Sequence, residues 1–158
     1  MTAVAGRWQL ERRLDAGGEN EVWLARDTIV GGTFALKLGG APPPAWPEHP
    51  SLVRVVASGI DGGRAYVVMA LVAGRTLGAV LAEGPLGPGE ARRIFDSIEA
   101  AVGALAAAGV SHGDVRPQNV MLGPDGAVTL IDPEDPRLIR ATDDRAALAD
   151  LARRLGMG

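Results

Sequence analysis

Four prolines fall within six residues, at Pro42, Pro43, Pro44 and Pro47, in a stretch that opens on Gly39-Gly40. Proline has no amide proton to give, and its ring clashes with the preceding helical turn, so residues 39–47 cannot form a helix. The segments nearest to them on either side read as strands. Residues 8–15, 21–27 and 33–38 carry roughly alternating apolar side chains, separated by Gly17-Gly18 and Gly31-Gly32. Beyond the prolines come two further apolar runs, 52–58 and 65–71, joined by Asp61-Gly62-Gly63, a good hairpin turn. Five strands with such short connections pair antiparallel.

The second half changes period. Ala91, Ile94, Phe95, Ile98, Val102 and Leu105 recur at three- and four-residue spacing, which predicts an amphipathic helix over 88–108 closed by Gly109. Residues 119–122 and 128–131 read as short strands around Pro124-Asp125-Gly126. Thr142 opens a last helix with Asp143 and Asp144 in its first turn and Arg153-Arg154 in its last, which suits the helix dipole. A strand-rich half followed by a helical half is an α+β fold. The expected organisation is a single domain over 1–158, with a β lobe at 1–71 and a helical lobe at 72–158.

Composition narrows the function classes. At 158 residues, with 47% hydrophobic and 22% charged residues, the chain can bury a real core as one domain. A formal charge of −3 gives no basic field for nucleic acid. No cysteine is present, which excludes disulfides, thiolate metal sites and a cysteine nucleophile. Residues 1–13 have no apolar signal-like run, and no run approaches a membrane span. The expectation is therefore a cytoplasmic protein that contacts neither membrane nor nucleic acid.

Lys37 is the one lysine among sixteen Lys and Arg residues, and it sits inside the apolar run Phe34-Ala35-Leu36-Lys37-Leu38. Where arginine otherwise supplies the positive charge, a retained lysine marks a need for a compact ammonium on a flexible stem. About twenty residues upstream lies Leu14-Asp15-Ala16-Gly17-Gly18-Glu19-Asn20-Glu21-Val22. Far downstream are His112-Gly113-Asp114-Val115-Arg116-Pro117-Gln118-Asn119 and then Leu130-Ile131-Asp132. One turn, one lysine and a set of hard oxygen donors are the parts needed to hold a triphosphate and divalent metal in line with a hydroxyl.

In that order these segments resemble the ATP site of the protein kinase-like superfamily, and the likeness runs over nearly the whole chain. The resemblance implies a minimal bilobal kinase fold with ATP and Mg²⁺ as its ligands. It implies that Leu14, Gly17, Val22, Ala35, Met69, the Ala70 to Val72 backbone and Met121 surround the nucleotide. Met69 falls at the gatekeeper position. Lys37 would hold the α and β phosphates, Asp114 would receive the acceptor proton, and Arg116 stands where a phosphate-contacting lysine is usual. Asn119 and Asp132 would hold metal. Strings such as Val22-Trp23-Leu24-Ala25-Arg26-Asp27 and His49-Pro50 look like bacterial Ser/Thr protein kinases.

The departures from the pattern are specific. Asp15 and Asn20 stand at the first and third glycines of the phosphate loop, and asparagine tolerates the positive φ such a turn needs. The proline stretch replaces the helix that supplies a glutamate to the lysine, so an activating partner or self-association is expected. Asp132-Pro133-Glu134 replaces the Asp-Phe-Gly triplet, and Gly113 stands where the family has an arginine. Almost no activation loop separates Glu134 from Ala141, and the late helices of the second lobe are absent. The leading expectation is ATP-dependent phosphotransfer to protein Ser or Thr. The alternatives are a silent nucleotide-binding regulatory module and a small-molecule kinase of the aminoglycoside or choline type, whose His-Gly-Asp and Ile-Asp-x-Glu patterns this chain shares.

Overall fold

A computed structural model describes residues 3–14, 21–39, 46–131 and 143–157, the last group beginning with the backbone of Asp143. The chain divides into two compact units, Met1–Pro42 with Arg54–Leu71, and Pro43–Val53 with Val72–Gly158.

The first unit is a six-stranded antiparallel sheet in the order β1-β2-β3-β4-β6-β5, built from β1 Ala3–Val4, β2 Trp8–Arg13, β3 Glu21–Asp27, β4 Thr33–Leu38, β5 Val55–Asp61 and β6 Arg64–Ala70. The five expected strands are present, and the two-residue β1 adds an edge. The fourth strand starts at Val55 and not at residue 52, because Leu52 pairs instead with Leu130 of the second unit in an isolated parallel bridge. The sheet curls until its two edges meet, and the Ala5 N–H donates to Asp61 Oδ2 at 2.9 Å. Alternation sends Ala25, Leu36, Leu38 and Val68 to the inside of the curl, where Val4 and Trp8 fill the core.

Asp27 pins one end of this sheet. Its buried carboxylate accepts Arg7 Nε at 3.0 Å and Nη2 at 2.7 Å, and also the Ile29 and Val30 amides that turn the chain into β4. The Arg7 guanidinium also lies 4.6 Å from the centroid of the Trp8 ring. The arginine bonds, followed by the turn amides, hold the Asp27 carboxyl well below the usual carboxylate range.

In the second unit a three-stranded sheet, β7 Arg75–Thr76, β8 Val120–Leu122 and β9 Val128–Leu130, packs with α1 Leu77–Ala82, α2 Pro88–Ala107 and α3 Asp143–Arg154. The long helix matches its predicted span to one residue. Its apolar face, including Ile94, Ile98 and Leu105, is buried against Leu77, Leu130 and Leu151. Helix α1 and strand β7 were not anticipated, although Thr76 caps α1 by accepting the Ala79 N–H at 3.0 Å and is a recognisable start signal. Gly109, at φ +74°, ends α2 in a Schellman turn. The Val110 N–H reaches Leu105 O at 2.9 Å and the Gly109 N–H reaches Ala106 O at 3.0 Å. Val110 and Leu105 share the core, so the chain leaves the helix in a fixed direction toward His112.

A group whose pKa is depressed on folding stabilises the fold above its unfolded pKa and loses that contribution as pH falls through the folded value. Asp27→Asn is therefore expected to melt at lower temperature near neutral pH, and to lose less than wild type on acidification below about pH 4. Thermal unfolding followed across the acid range checks both; equal slopes for the two proteins would rule the clamp out.

Candidate active site

The sheet unit carries a first set of the expected residues on one of its own faces. Antiparallel register sets Lys37 opposite Val22 and Val67, and Ala35 opposite Leu24 and Met69. Residues directly opposite share a side of the sheet, so Val22, Ala35, Lys37 and Met69 lie together on the face away from the Leu36 and Val68 core. Four positions expected to touch a nucleotide thus fall on one surface. Leu14 is tied to the same strand, donating its N–H to Val22 O at 2.7 Å. The Ala70 N–H is taken by Arg54 O at 2.9 Å, which leaves its carbonyl as the polar group it could offer a ligand. Lys37 is not without a partner in this structure. The expectation that no helix supplies it with a glutamate falls on residues 40–45, outside the described residues; from 46 to 54 the described chain has no helix.

The helical unit carries a second set of the expected residues. After Val110 the backbone has no regular structure and needs acceptors for its amides. Asp144, in the first turn of α3, supplies two of them: Oδ2 accepts the His112 N–H at 2.7 Å and Oδ1 the Gly113 N–H at 2.8 Å. Gly113 adopts φ +87°, a conformation open to glycine at little cost. The next amide, that of Asp114, turns back to His112 Nδ1 at 3.1 Å. An N–H must donate, so Nδ1 accepts, and the imidazole proton sits on Nε2, which faces Ile131 O at 2.7 Å. His112 is fully buried and is thereby a neutral tie between the loop and the end of β9. It is the joint between the Asp114 loop and the end of β9.

The Asp114 carboxylate remains partly open, its side chain 30% exposed. Asn119 Nδ2 donates to Asp114 Oδ2 and to Asp114 O, both at 2.8 Å. Arg116 Nε lies 3.2 Å from Asp114 Oδ1. With both acceptors on the nitrogen side, Oδ1 is the remaining polar atom of the Asn119 amide. The 3₁₀ turn Pro117–Asn119 sets this geometry, and Asn119 O accepts the Ile131 N–H at 2.8 Å. Met121 follows on β8, paired with Thr129 and Thr76, on the side away from the core that Val120, Val128 and Leu130 enter. Val72, the last of the expected nucleotide contacts, belongs to this unit and is half-buried. Gly17 and Asp132 lie outside the described residues. Among the described residues no group of three or more His, Asp or Glu side chains could cage a metal.

The protein kinase domain family matches residues 46–134. The serine/threonine-protein kinase PknE of Mycobacterium tuberculosis is 32% identical over 144 residues, 80% of this chain and 25% of that protein. Serine/threonine-protein kinase pkn2 of Myxococcus xanthus is 31% identical over 133 residues, 74% of this chain and 16% of that protein. The chain thus spans a quarter or less of the length of these curated relatives. The crystal structure of the M. tuberculosis PknI kinase domain superposes with a TM-score of 0.80 at 24% identity, covering 98% of this chain and 73% of that one. The chain belongs to the protein kinase family. The curated relatives named above are serine/threonine-protein kinases.

Asp144 gives the loop two charge-assisted bonds, and Asp144→Ala leaves two amides to find other acceptors. That variant is expected to stay folded but to lose amide-exchange protection at His112 and Gly113, with Leu105 and Val110 unchanged. Removing a hydrogen-bonded charge of this kind costs about 1.5–3 kcal/mol, which a thermal melt reads as a drop of several degrees. Protection at residues 112 and 113 equal to wild type would refute the brace.

Proposed function

We propose that the chain binds Mg-ATP and transfers its γ-phosphate to the hydroxyl of a protein serine or threonine. The observation that supports this most is the state of Asp114. Its carboxylate is partly exposed and held from two sides by Asn119 and Arg116, on a loop fixed by Asp144. A carboxylate positioned in this way can orient a hydroxyl and accept its proton as the oxygen–phosphorus bond forms and the bond to the β-phosphate oxygen breaks.

The other residues take roles that suit their chemistry. Lys37 offers a point charge for the α and β phosphates from the face that Val22, Ala35 and Met69 would present to the adenine. Arg116 stands beside Asp114, where a planar guanidinium can balance negative charge on the transferred phosphoryl group. Asn119 Oδ1 and the Asp132 carboxylate are hard oxygen donors, and two such side chains completed by phosphate oxygens fit Mg²⁺. When bound, that ion would neutralise charge on the phosphates. The family resemblance and the bacterial Ser/Thr kinase relatives favour a protein acceptor.

Asp114 acts on the chemical step in this reading and not on nucleotide binding. Asp114→Asn is expected to keep ATP affinity within a few-fold and to lower labelled phosphate transfer by roughly 10²–10⁴-fold, the size of a general-base contribution. A wild type that binds Mg-ATP yet transfers nothing above the Asp114→Asn background, to itself or to protein and small-molecule hydroxyls, would decide for a regulatory binding module. Asp132→Asn exchanges a charged metal ligand for a neutral one. It is expected to remove the Mg²⁺ dependence of ATP binding without changing the melting curve, and an unchanged Mg²⁺-dependent affinity would sink that assignment.

A further inference from the structure

The residues after the proline stretch form a strap on the helical unit. The Ser51 N–H donates to His49 Nδ1 at 3.0 Å and the Leu52 N–H to His49 O at 3.0 Å, which curls 49–52 into a compact turn. That turn is laced to β9: the Leu130 N–H reaches Ser51 O at 2.8 Å and the Val53 N–H reaches Leu130 O at 2.9 Å. At the start of the strap Trp46 donates its indole Nε1–H to Val53 O at 2.8 Å, so the ring is fixed at its polar end. Its body packs against the helical core. The ring lies beside the imidazole of His112 in a tilted arrangement, with centroids 6.3 Å apart and planes inclined at 51°.

We propose that Trp46 is a positioning residue for Asp114, acting through His112. His112 has one working arrangement, with Nδ1 accepting from the Asp114 amide and Nε2–H donating to Ile131 O. A half-turn of the ring would set a ring carbon against each partner and release both. Hydrogen bonds in the ring plane still allow a small planar ring some freedom to librate about its χ2 unless its neighbours hold it. A large aromatic neighbour inside the 4.5–7 Å range of favourable ring contacts removes that freedom. Trp46 can do this because it is itself held by Val53 O, and Val53 is held by Leu130, one residue before the Ile131 that His112 grips. The strap, β9 and the Asp114 loop therefore close a ring of contacts with the tryptophan as its keystone. The arrangement also gives residues 46–53 a task in this chain: they deliver an aromatic side chain to the loop.

The catalytic consequence rests on the phosphotransfer reading, whereas the coupling to His112 does not. The chain has two histidines, so selective isotope labelling gives two imidazole signals, assigned with His49→Gln. Nitrogen shifts are recorded without nucleotide at about pH 8, well above the reference imidazole pKa. Wild type and Trp46→Phe are expected to show His112 locked with its proton on Nε2. Trp46→Leu keeps apolar bulk and removes the ring, and its two His112 nitrogen shifts are expected to converge toward a tautomeric average. Trp46→Met takes its place if the leucine variant does not fold. In the phosphate-transfer assay the non-aromatic variant should lose about tenfold or more in kcat, as expected when a reacting group is slightly misplaced. KM for ATP should stay within about twofold, and Trp46→Phe should recover most of the rate. His112 shifts identical to wild type in a folded non-aromatic variant would overturn the proposal. Equal loss of kcat in the phenylalanine and leucine variants would overturn it too. A wild type that transfers no phosphate removes the phosphotransfer reading and leaves the nitrogen shifts to decide the role of Trp46.

Discussion

Two backbone amides on one carboxylate carry the organisation of the helical unit. The segment that leaves α2 has no ladder to satisfy its N–H groups, and buried amides without acceptors are costly. Asp144 collects those of His112 and Gly113 at 2.7 and 2.8 Å. Once those two are fixed and Gly113 has turned the chain, the Asp114 amide has His112 Nδ1 within reach. The Asp114 side chain is then left facing Asn119 and Arg116. The Asp114 carboxylate, the proposed proton acceptor, is thus positioned by a second carboxylate on another segment. A charged acceptor suits this use, because bonds to a carboxylate are shorter and stronger than those to a neutral oxygen.

The same economy appears in the sheet unit, where Asp27 takes two guanidinium bonds and two turn amides at the end of β3. That clamp fixes where β4 begins. Strand β4 then carries Ala35 and Lys37 outward and Leu36 inward, because side chains alternate along a strand. A one-residue slip between β3 and β4 would turn Lys37 into the core and expose Leu36. The buried end of the sheet thus sets the register on which the candidate phosphate lysine depends.

Much of this was legible in the sequence, and the reasons are physical. The α2 span follows from apolar spacing, and its stop from a glycine that alone takes a left-handed conformation cheaply. The Asp114 to Asn119 string carries its geometry locally: a proline in the turn and an asparagine five residues on are enough for the amide to return to Asp114. What could not be read were contacts between segments far apart in the chain. Nothing in residues 46–53 announces that Trp46 meets His112, or that Leu52 pairs with Leu130, since these follow from packing. The fourth strand was placed three residues early for the same reason. Its apolar run from residue 52 serves two structures, the bridge to β9 and then β5, and a hydrophobic pattern does not record where its partner changes. Helix α1 is a different case. Six residues are too few for the 3.6-residue period to stand out, and only the capping threonine marks its start.

The candidate site also shows how its groups divide by role. The functions of a phosphotransfer site divide into groups that must touch substrate and groups that hold them still. On the reading proposed above the first set is small: Lys37, Asp114, Arg116, Asn119 and Asp132. The second set is where a chain can economise, because a support can be any rigid neighbour of the right shape. Here the supports are a single carboxylate at the start of a helix, a buried neutral histidine and a strap laced to a three-residue strand. Each uses backbone hydrogen bonds that any sequence can make, fixed by one or two side chains that only a few residues can replace. The sites of least tolerance in this fold should therefore be Asp144, His112 and Gly113 as much as the residues that meet the phosphates.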